Sequence, residues 1–224
     1  MSLEFEDLET NSNASATLKK QDGNYNNLKL DYNLFYDKRN QSFRPSEGFY
    51  SNFSQKIPIL SNGYSLYNKY DFKIYKKLSE NMIGSFSYHL SAVNSLDDDD
   101  VRISERLNLS PRKLRGFKKG KIGPKDNNDY IGGNYVTAMT ASSTLPDFLP
   151  DLDSVDFSLF IDAGNIWGVD YDSSLDNSKL RSSTGLSIDW LTPIGPLNFV
   201  FSQPLTKSST DIEETFRFDI GTTF

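Results

Sequence analysis

Cysteine is absent from this chain of 224 residues, and histidine occurs once, as His89. The first absence removes disulfides, thiolate metal sites and cysteine nucleophiles. The second leaves a single imidazole for acid–base work, in a chain with no G-x-S-x-G, no H-E-x-x-H and no carboxylate pair at a convincing spacing. His89 is therefore expected to be structural, and the chain reads as a non-enzyme with no catalytic residue, no metal and no cofactor. Long apolar runs are missing as well: nothing approaches the roughly 20 residues of a membrane-spanning helix. Only 37% of the residues are hydrophobic, low for a conventionally buried core. The net charge of −6 argues against a general affinity for nucleic acid.

What is present is alternation with period two. In the last eleven residues Phe216, Phe218, Ile220 and Phe224 fall on one face and Arg217, Asp219 and Thr223 on the other, and the chain stops on an aromatic ring. That is the pattern of the closing strand of an outer-membrane β-barrel. A spanning strand needs apolar residues only at alternate positions, so such a barrel can be hydrophilic on average. The 16 Phe and 12 Tyr suit strands and the aromatic belts at membrane interfaces. A soluble, aromatic-rich β-sandwich is the competing reading of the composition.

Ten alternating segments follow one another: residues 3–9, 28–36, 49–57, 64–74, 86–90, 132–145, 155–167, 180–190, 196–203 and 214–224. Residues 10–24 read as a polar stretch ending in a turn, Arg44-Pro45-Ser46-Glu47-Gly48 as a tight connection, and Pro58 as the end of the third strand. Short and long connections alternate, as in barrels with turns on one side and loops on the other. Within the seventh segment the alternation turns Phe160 and Asp162 inward and Leu159 and Ile161 outward. Residues 91–130 show no sustained alternation, and a loop of about 40 residues is uncommon unless it has a function. Its run Asp97-Asp98-Asp99-Asp100 lacks the alternating ligands and glycine of a calcium loop and reads as solvated.

Five strings occur in order: Leu114-Arg115-Gly116-Phe117, then Ile122-Gly123-Pro124 with Gly132-Gly133-Asn134, then residues 160–167 (FIDAGNIW), residues 190–197 (WLTPIGPL) and residues 216–224 (FRFDIGTTF). Together they resemble the Omp85 superfamily of outer-membrane barrels, across essentially the whole chain and best from Arg44 onward. The resemblance implies an all-β antiparallel transmembrane barrel in which these ten strands are the last ten of sixteen. Residues 1–224 would be the C-terminal portion of the barrel domain, with the long loop folded into the lumen and no POTRA domain in the chain. Met1-Ser2-Leu3-Glu4-Phe5-Glu6 has neither the basic nor the apolar region of a signal peptide, so a piece of a longer protein is expected.

The same resemblance implies a function and its residues. Arg115 of the Arg115-Gly116-Phe117 motif would meet Phe160 and Asp162 on the inner wall. Where relatives carry a second acid, this chain has Ser142, so a pocket with one carboxylate is expected. Phe216, Phe218, Ile220, Gly221 and Phe224 would form the seam strand and C-terminal signal, with Gly221 on the inward face allowing a kink. The protein would be an assembly and insertion factor of the bacterial outer membrane, templating substrate strands at a lateral seam. Its partners would be unfolded outer-membrane proteins, outer-membrane lipid and, through POTRA domains outside this chain, periplasmic lipoproteins. The alternatives are a translocator of the same superfamily, of the TamA-like or two-partner secretion kind, and a passive porin or surface antigen.

Overall fold

The computed structural model describes residues 1–145, 154–176, 179–193 and 195–221. Five strands come first: β1 (Ser2–Leu8), β2 (Gly23–Asp37), β3 (Gly48–Ser61), β4 (Ser65–Ser79) and β5 (Met82–Ser95). Three two-residue strands lie inside the long connection that follows: β6 (Gly116–Phe117), β7 (Lys125–Asp126) and β8 (Asp129–Tyr130). The chain continues through β9 (Tyr135–Thr144), β10 (Val155–Trp167), β11 (Arg181–Thr192) and β12 (Gly195–Thr206), then β13 (Glu213–Glu214) and β14 (Phe216–Ile220). Ten of these make one antiparallel sheet in the order β1-β2-β3-β4-β5-β9-β10-β11-β12-β14. Among the described residues β1 and β14 each have one neighbour in that sheet, so the ten strands form an open wall.

The two faces of the wall follow from the pleat, which sends successive side chains to opposite sides. On β10, Leu159 and Ile161 are exposed while Phe160 and Asp162 are buried. On β14, Phe216, Phe218 and Ile220 are exposed, whereas Arg217 and Asp219 are partly covered. Leu30, Tyr32, Leu34, Tyr36, Ile74, Phe86, Leu90, Met139, Trp190 and Phe201 extend this apolar outer surface. The inner face carries buried polar groups, Lys29, His89, Ser183, Ser187 and Ser202 among them. A water-soluble protein has the opposite arrangement, and a continuous apolar exterior of this kind belongs in hydrocarbon. The outer surface is knit by cross-strand aromatic pairs such as Phe199–Phe218 and Phe201–Phe216, with ring centroids 4.9 and 5.1 Å apart. The sandwich alternative fails here, because these rings face outward and the remaining described ladders are two-residue pairings.

The largest apolar cluster forms between the long loop and the inner face of the wall. Leu109, Leu114, Phe117 and Ile122 of the loop pack on Val136 and Ala138 of β9 and Ile166 of β10. A second cluster joins Leu18, Ile131 and Val169, drawn from three separate connections on the same side of the wall. The connection expected to be a polar stretch is therefore built into the structure. It contains one helical turn, α1 (Ala16–Lys19), capped by the Ser15 hydroxyl, and β2 begins at Gly23, five residues before the alternation becomes legible at Leu28.

Other expectations are corrected. β5 runs on to Ser95, so the loop starts later than residue 91. Pro58 does not end β3, which continues to Ser61. The register with β2 slips beside it, between Leu28 and Lys29, and an irregularity of that kind accommodates a residue without an N–H. The alternation of short and long connections is imperfect: residues 38–47 form a ten-residue connection on the side of the two-residue turn 80–81. The last strand is shorter than residues 214–224. Glu213 and Glu214 pair with β6 instead of the wall, β14 ends at Ile220, and Phe224 lies outside the described residues.

Candidate functional site

The long loop crosses the inner face of the wall and presents Arg115 to β10. Its guanidinium donates from Nε to Asp162 Oδ2 at 2.8 Å and from Nη2 to Oδ1 at 2.7 Å, and the Arg115 backbone N–H adds a third bond to Oδ2 at 3.0 Å. Asp162 has no solvent exposure. A bidentate, charge-assisted pair shielded from water is the strong form of this interaction. Arg115 Cζ also lies 3.3 Å from the centre of the Phe160 ring, so the guanidinium stacks on a buried aromatic face while its edge meets the carboxylate.

The surrounding sequence explains why the chain folds this way. Phe160 and Asp162 share the inward face of β10 and stand opposite Gly185 and Ser183 of β11. A Cβ at Gly185 would come within 2.7 Å of Phe160 Cζ and 2.1 Å of the Phe201 carbonyl oxygen, so glycine makes the space in which the ring lies flat. Gly116 adopts φ +91°, a conformation open to glycine and strained for other residues. That turn lets Phe117 drop into the apolar cluster while β6 reaches Glu213–Glu214. Gly185 was not singled out in the sequence, although a lone glycine inside a strand was the available signal.

A second anchor lies on the other flank of the loop. Lys113 Nζ donates to Asp71 Oδ1 of β4 at 2.5 Å, His89 Nδ1 lies 2.8 Å from the same oxygen, and Lys69 Nζ is 3.1 Å from Oδ2. Ser91 Oγ stands 3.1 Å from His89 Nε2. The order Ser91–His89–Asp71 has the connectivity of a nucleophilic triad, but the serine is buried and the aspartate already balances two lysines, so it serves packing and charge balance. Ser142, which stands where the resemblance implies a second acid, hydrogen-bonds Ser85 at 2.8 Å. It faces an open cavity of about 400 Å³ that Lys73, Arg115, Asp189 and Arg217 also line.

Ion pairs unseen in the sequence fasten the loop end of the wall. Arg181 pairs with Asp211 through two bonds of 2.8 and 2.9 Å, with both side chains fully buried. Arg106 pairs with Asp170 and lies over the Tyr171 ring. Glu105 accepts from Lys29 at 2.9 Å and lies 3.1 Å from Arg102. Burial alone would push the Glu105 carboxyl up, yet hydrogen bonds from Lys29 and Ser65 and the charge of Arg102 hold it below its ordinary value. In the run 97–100, Asp97 accepts from the Ser95 hydroxyl and the Tyr64 N–H, as a loop-shaping residue does.

At the wall's edge, Phe216, Phe218 and Ile220 project from the outer face. Gly221 stands one residue beyond β14 instead of inside it, with φ +72° and its N–H on the Pro196 carbonyl at 2.8 Å. A Cβ there would meet nothing within 4 Å, so the demand for glycine is conformational. No described group of histidine, cysteine or carboxylate side chains is arranged to hold a metal ion.

Comparison with known proteins agrees with this architecture. The Omp85 superfamily domain model matches residues 2–224. The outer membrane protein assembly factor BamA of Neisseria meningitidis is 32% identical over half of this chain and 17% of its own length, and that of Neorickettsia risticii is 26% identical across the whole chain and 31% of its own. A SAM50-like protein of Schizosaccharomyces pombe is 29% identical over 94% of the chain and 47% of its own length. The crystal structure of BamA from Haemophilus ducreyi lacking POTRA domains 1–3 superposes with a TM-score of 0.81 at 25% identity, over 94% of this chain and 44% of that one. The chain thus spans less than half the length of each of these proteins. With its apolar exterior, polar inner face and inward-folded loop, it belongs to the Omp85 superfamily and is similar to BamA.

Proposed function

We propose that residues 1–224 form the C-terminal part of the barrel wall of an outer-membrane protein assembly factor, and that the free edge of β14 is where an incoming strand is templated. The observation that carries this reading is the hydrogen-bond phase of β14. Ser202 N–H donates to Thr215 O and Gly221 N–H to Pro196 O, so the backbone groups of Arg217 and Asp219 point toward β12. By alternation, the N–H and C=O of Phe216, Phe218 and Ile220 point away from the wall. In hydrocarbon each unpaired group costs several kcal/mol. A strand added at this edge satisfies them by β-augmentation, and its own apolar side chains gain the transfer into lipid without a nucleotide or cofactor.

Similarity to the BamA relatives supports a bacterial outer membrane with outer-membrane proteins as substrates; POTRA domains ahead of this segment and periplasmic lipoproteins bound through them complete the proposal. The loop packed on the inner face favours an assembly factor over a passive pore. Arg115 seated on Phe160 and Asp162 would keep the loop in place while the seam works. The test is disulfide trapping in the full-length protein during assembly of a substrate barrel. Cysteines replacing Phe216, Phe218 and Ile220 should cross-link to successive alternate positions of one substrate strand, and a cysteine at Tyr88, mid-wall, should not. Equal trapping at Tyr88, or efficient assembly with no trapping at β14, would refute the seam.

A further inference from the structure

The pairing of β14 with β12 is short. It covers Leu197↔Ile220 to Phe201↔Phe216, whereas β12 itself continues to Thr206, paired with β11. Continuing the register places Thr215 opposite Ser202, Glu214 opposite Gln203 and Glu213 opposite Pro204. The Ser202 N–H points at β14, so by the two-residue alternation position 204 must offer the next donor. Proline has none. The chain leaves the wall at this point: Ser202 still reaches the Thr215 carbonyl at 2.8 Å, and Glu213–Glu214 turn onto the loop, pairing with Phe117 and Gly116. Two further bonds continue that contact, Lys118 N–H to Ile212 O at 2.9 Å and Ile212 N–H to Lys121 O at 3.0 Å, and the Tyr130 hydroxyl donates to Thr210 O.

We infer that Pro204 is a positioning residue that ends the wall pairing of β14, and that the loop strand Gly116–Phe117 takes over as a strap on the segment just ahead of it. The strap begins one residue after Arg115. Seating Arg115 on Asp162 therefore fixes β6, β6 fixes Glu213–Glu214, and these fix the upper end of β14. Gly116 is required at the joint, because its positive φ turns the chain from the Asp162 pocket to the strap, and a side chain there would sit 3.3 Å from Ser183 Cβ. Releasing the arginine frees the seam strand from its loop end, while β10 and β11 keep their own pairing. The consequence for substrate templating rests on the seam proposed above; the strap itself does not.

The experiment is hydrogen exchange by mass spectrometry on the full-length protein in lipid nanodiscs. Arg115→Ala should speed exchange in residues 213–220 about tenfold more than in residues 183–190 of β11, which report the general destabilisation, because the loss of one or two net hydrogen bonds is read directly in the first segment. A Lys118→Cys, Ile212→Cys disulfide joins two exposed strap positions. Oxidised, it should slow exchange in β14 relative to its reduced form in the otherwise unchanged protein, and it should reverse the effect of Arg115→Ala. Pro204→Val restores the missing donor and should make β14 insensitive to Arg115→Ala. Faster exchange in the loop with β14 unchanged, or a disulfide with no effect on β14, would overturn the strap. A working strap in a protein whose β14 traps no substrate would overturn the templating role alone.

Discussion

Replacing Arg115 with alanine strands the Asp162 carboxylate, fully buried, with a single N–H from the backbone of residue 115. Replacing Asp162 with alanine strands the guanidinium, whose side chain is 14% exposed, on the Phe160 ring. Breaking a buried pair from one side costs about 3–5 kcal/mol, because an uncompensated charge remains. The double replacement loses the same bonds but leaves no lone charge. Its destabilisation should therefore fall short of the sum of the singles by about 2 kcal/mol or more, well beyond the scatter of independent sites. Arg115→Lys keeps the charge but not the two-pronged geometry or the stacking, and should fall between wild type and alanine. The assay is urea unfolding of the full-length protein folded into lipid vesicles, with the four variants of the cycle measured under one set of conditions. Additivity within about 0.5 kcal/mol would refute a coupled, shielded pair.

Further outcomes follow from the same geometry. Gly185→Ala puts a methyl against Phe160 and the Phe201 carbonyl, and should cost about 1–3 kcal/mol and loosen the Arg115 seat, whereas Gly63→Ala, where φ is not positive and the added carbon meets no atom nearer than 3.8 Å, should cost far less in the same unfolding assay. Phe218→Arg puts a charge on the lipid face and should cost about 2–4 kcal/mol of insertion free energy if the site is at mid-membrane depth; unaltered heat-modifiable mobility would show that the position does not face lipid. Glu105 has a lowered pKa, so its contribution is complete above its ordinary value of 4.5 and is lost as pH falls through the lower folded value. Exchange of residues 102–106 should rise in that acid range, and Glu105→Gln should abolish the pH dependence; a rise of equal size in Glu105→Gln would assign it to another group.

The wall was legible because its signal is local. Alternation marks Leu28, Leu30, Tyr32, Leu34 and Tyr36 as one face without knowledge of the neighbouring strand, and nine of the ten expected segments differ from the observed strands chiefly at their ends. The tenth starts two residues late for a physical reason: Glu214 alternates in phase with Phe216 to Ile220, but Pro204 on the neighbouring strand has no N–H for the Glu213 carbonyl, the bond that would keep this segment in the wall. Pro58 misled in the opposite direction, since a register slip tolerates proline and no local pattern announces one. The loop was recognisable by the loss of alternation, and its motif by resemblance. Its fastenings were not, because Lys113–Asp71 and Arg106–Asp170 join residues that only the folded loop brings together.

Odd and even side chains of these strands meet different solvents, and a nitroxide accessibility scan reads that difference most directly. Spin labels placed one at a time at residues 157–162 and 216–220 of the full-length protein in lipid vesicles would be tested against oxygen, which concentrates in hydrocarbon, and a water-soluble nickel chelate. Labels at Leu159, Ile161, Phe216, Phe218 and Ile220 should favour oxygen, while those at Ser158, Arg217 and Asp219 should favour the chelate or be shielded from both. Accessibility to the chelate on both faces, without a period of two, would contradict it.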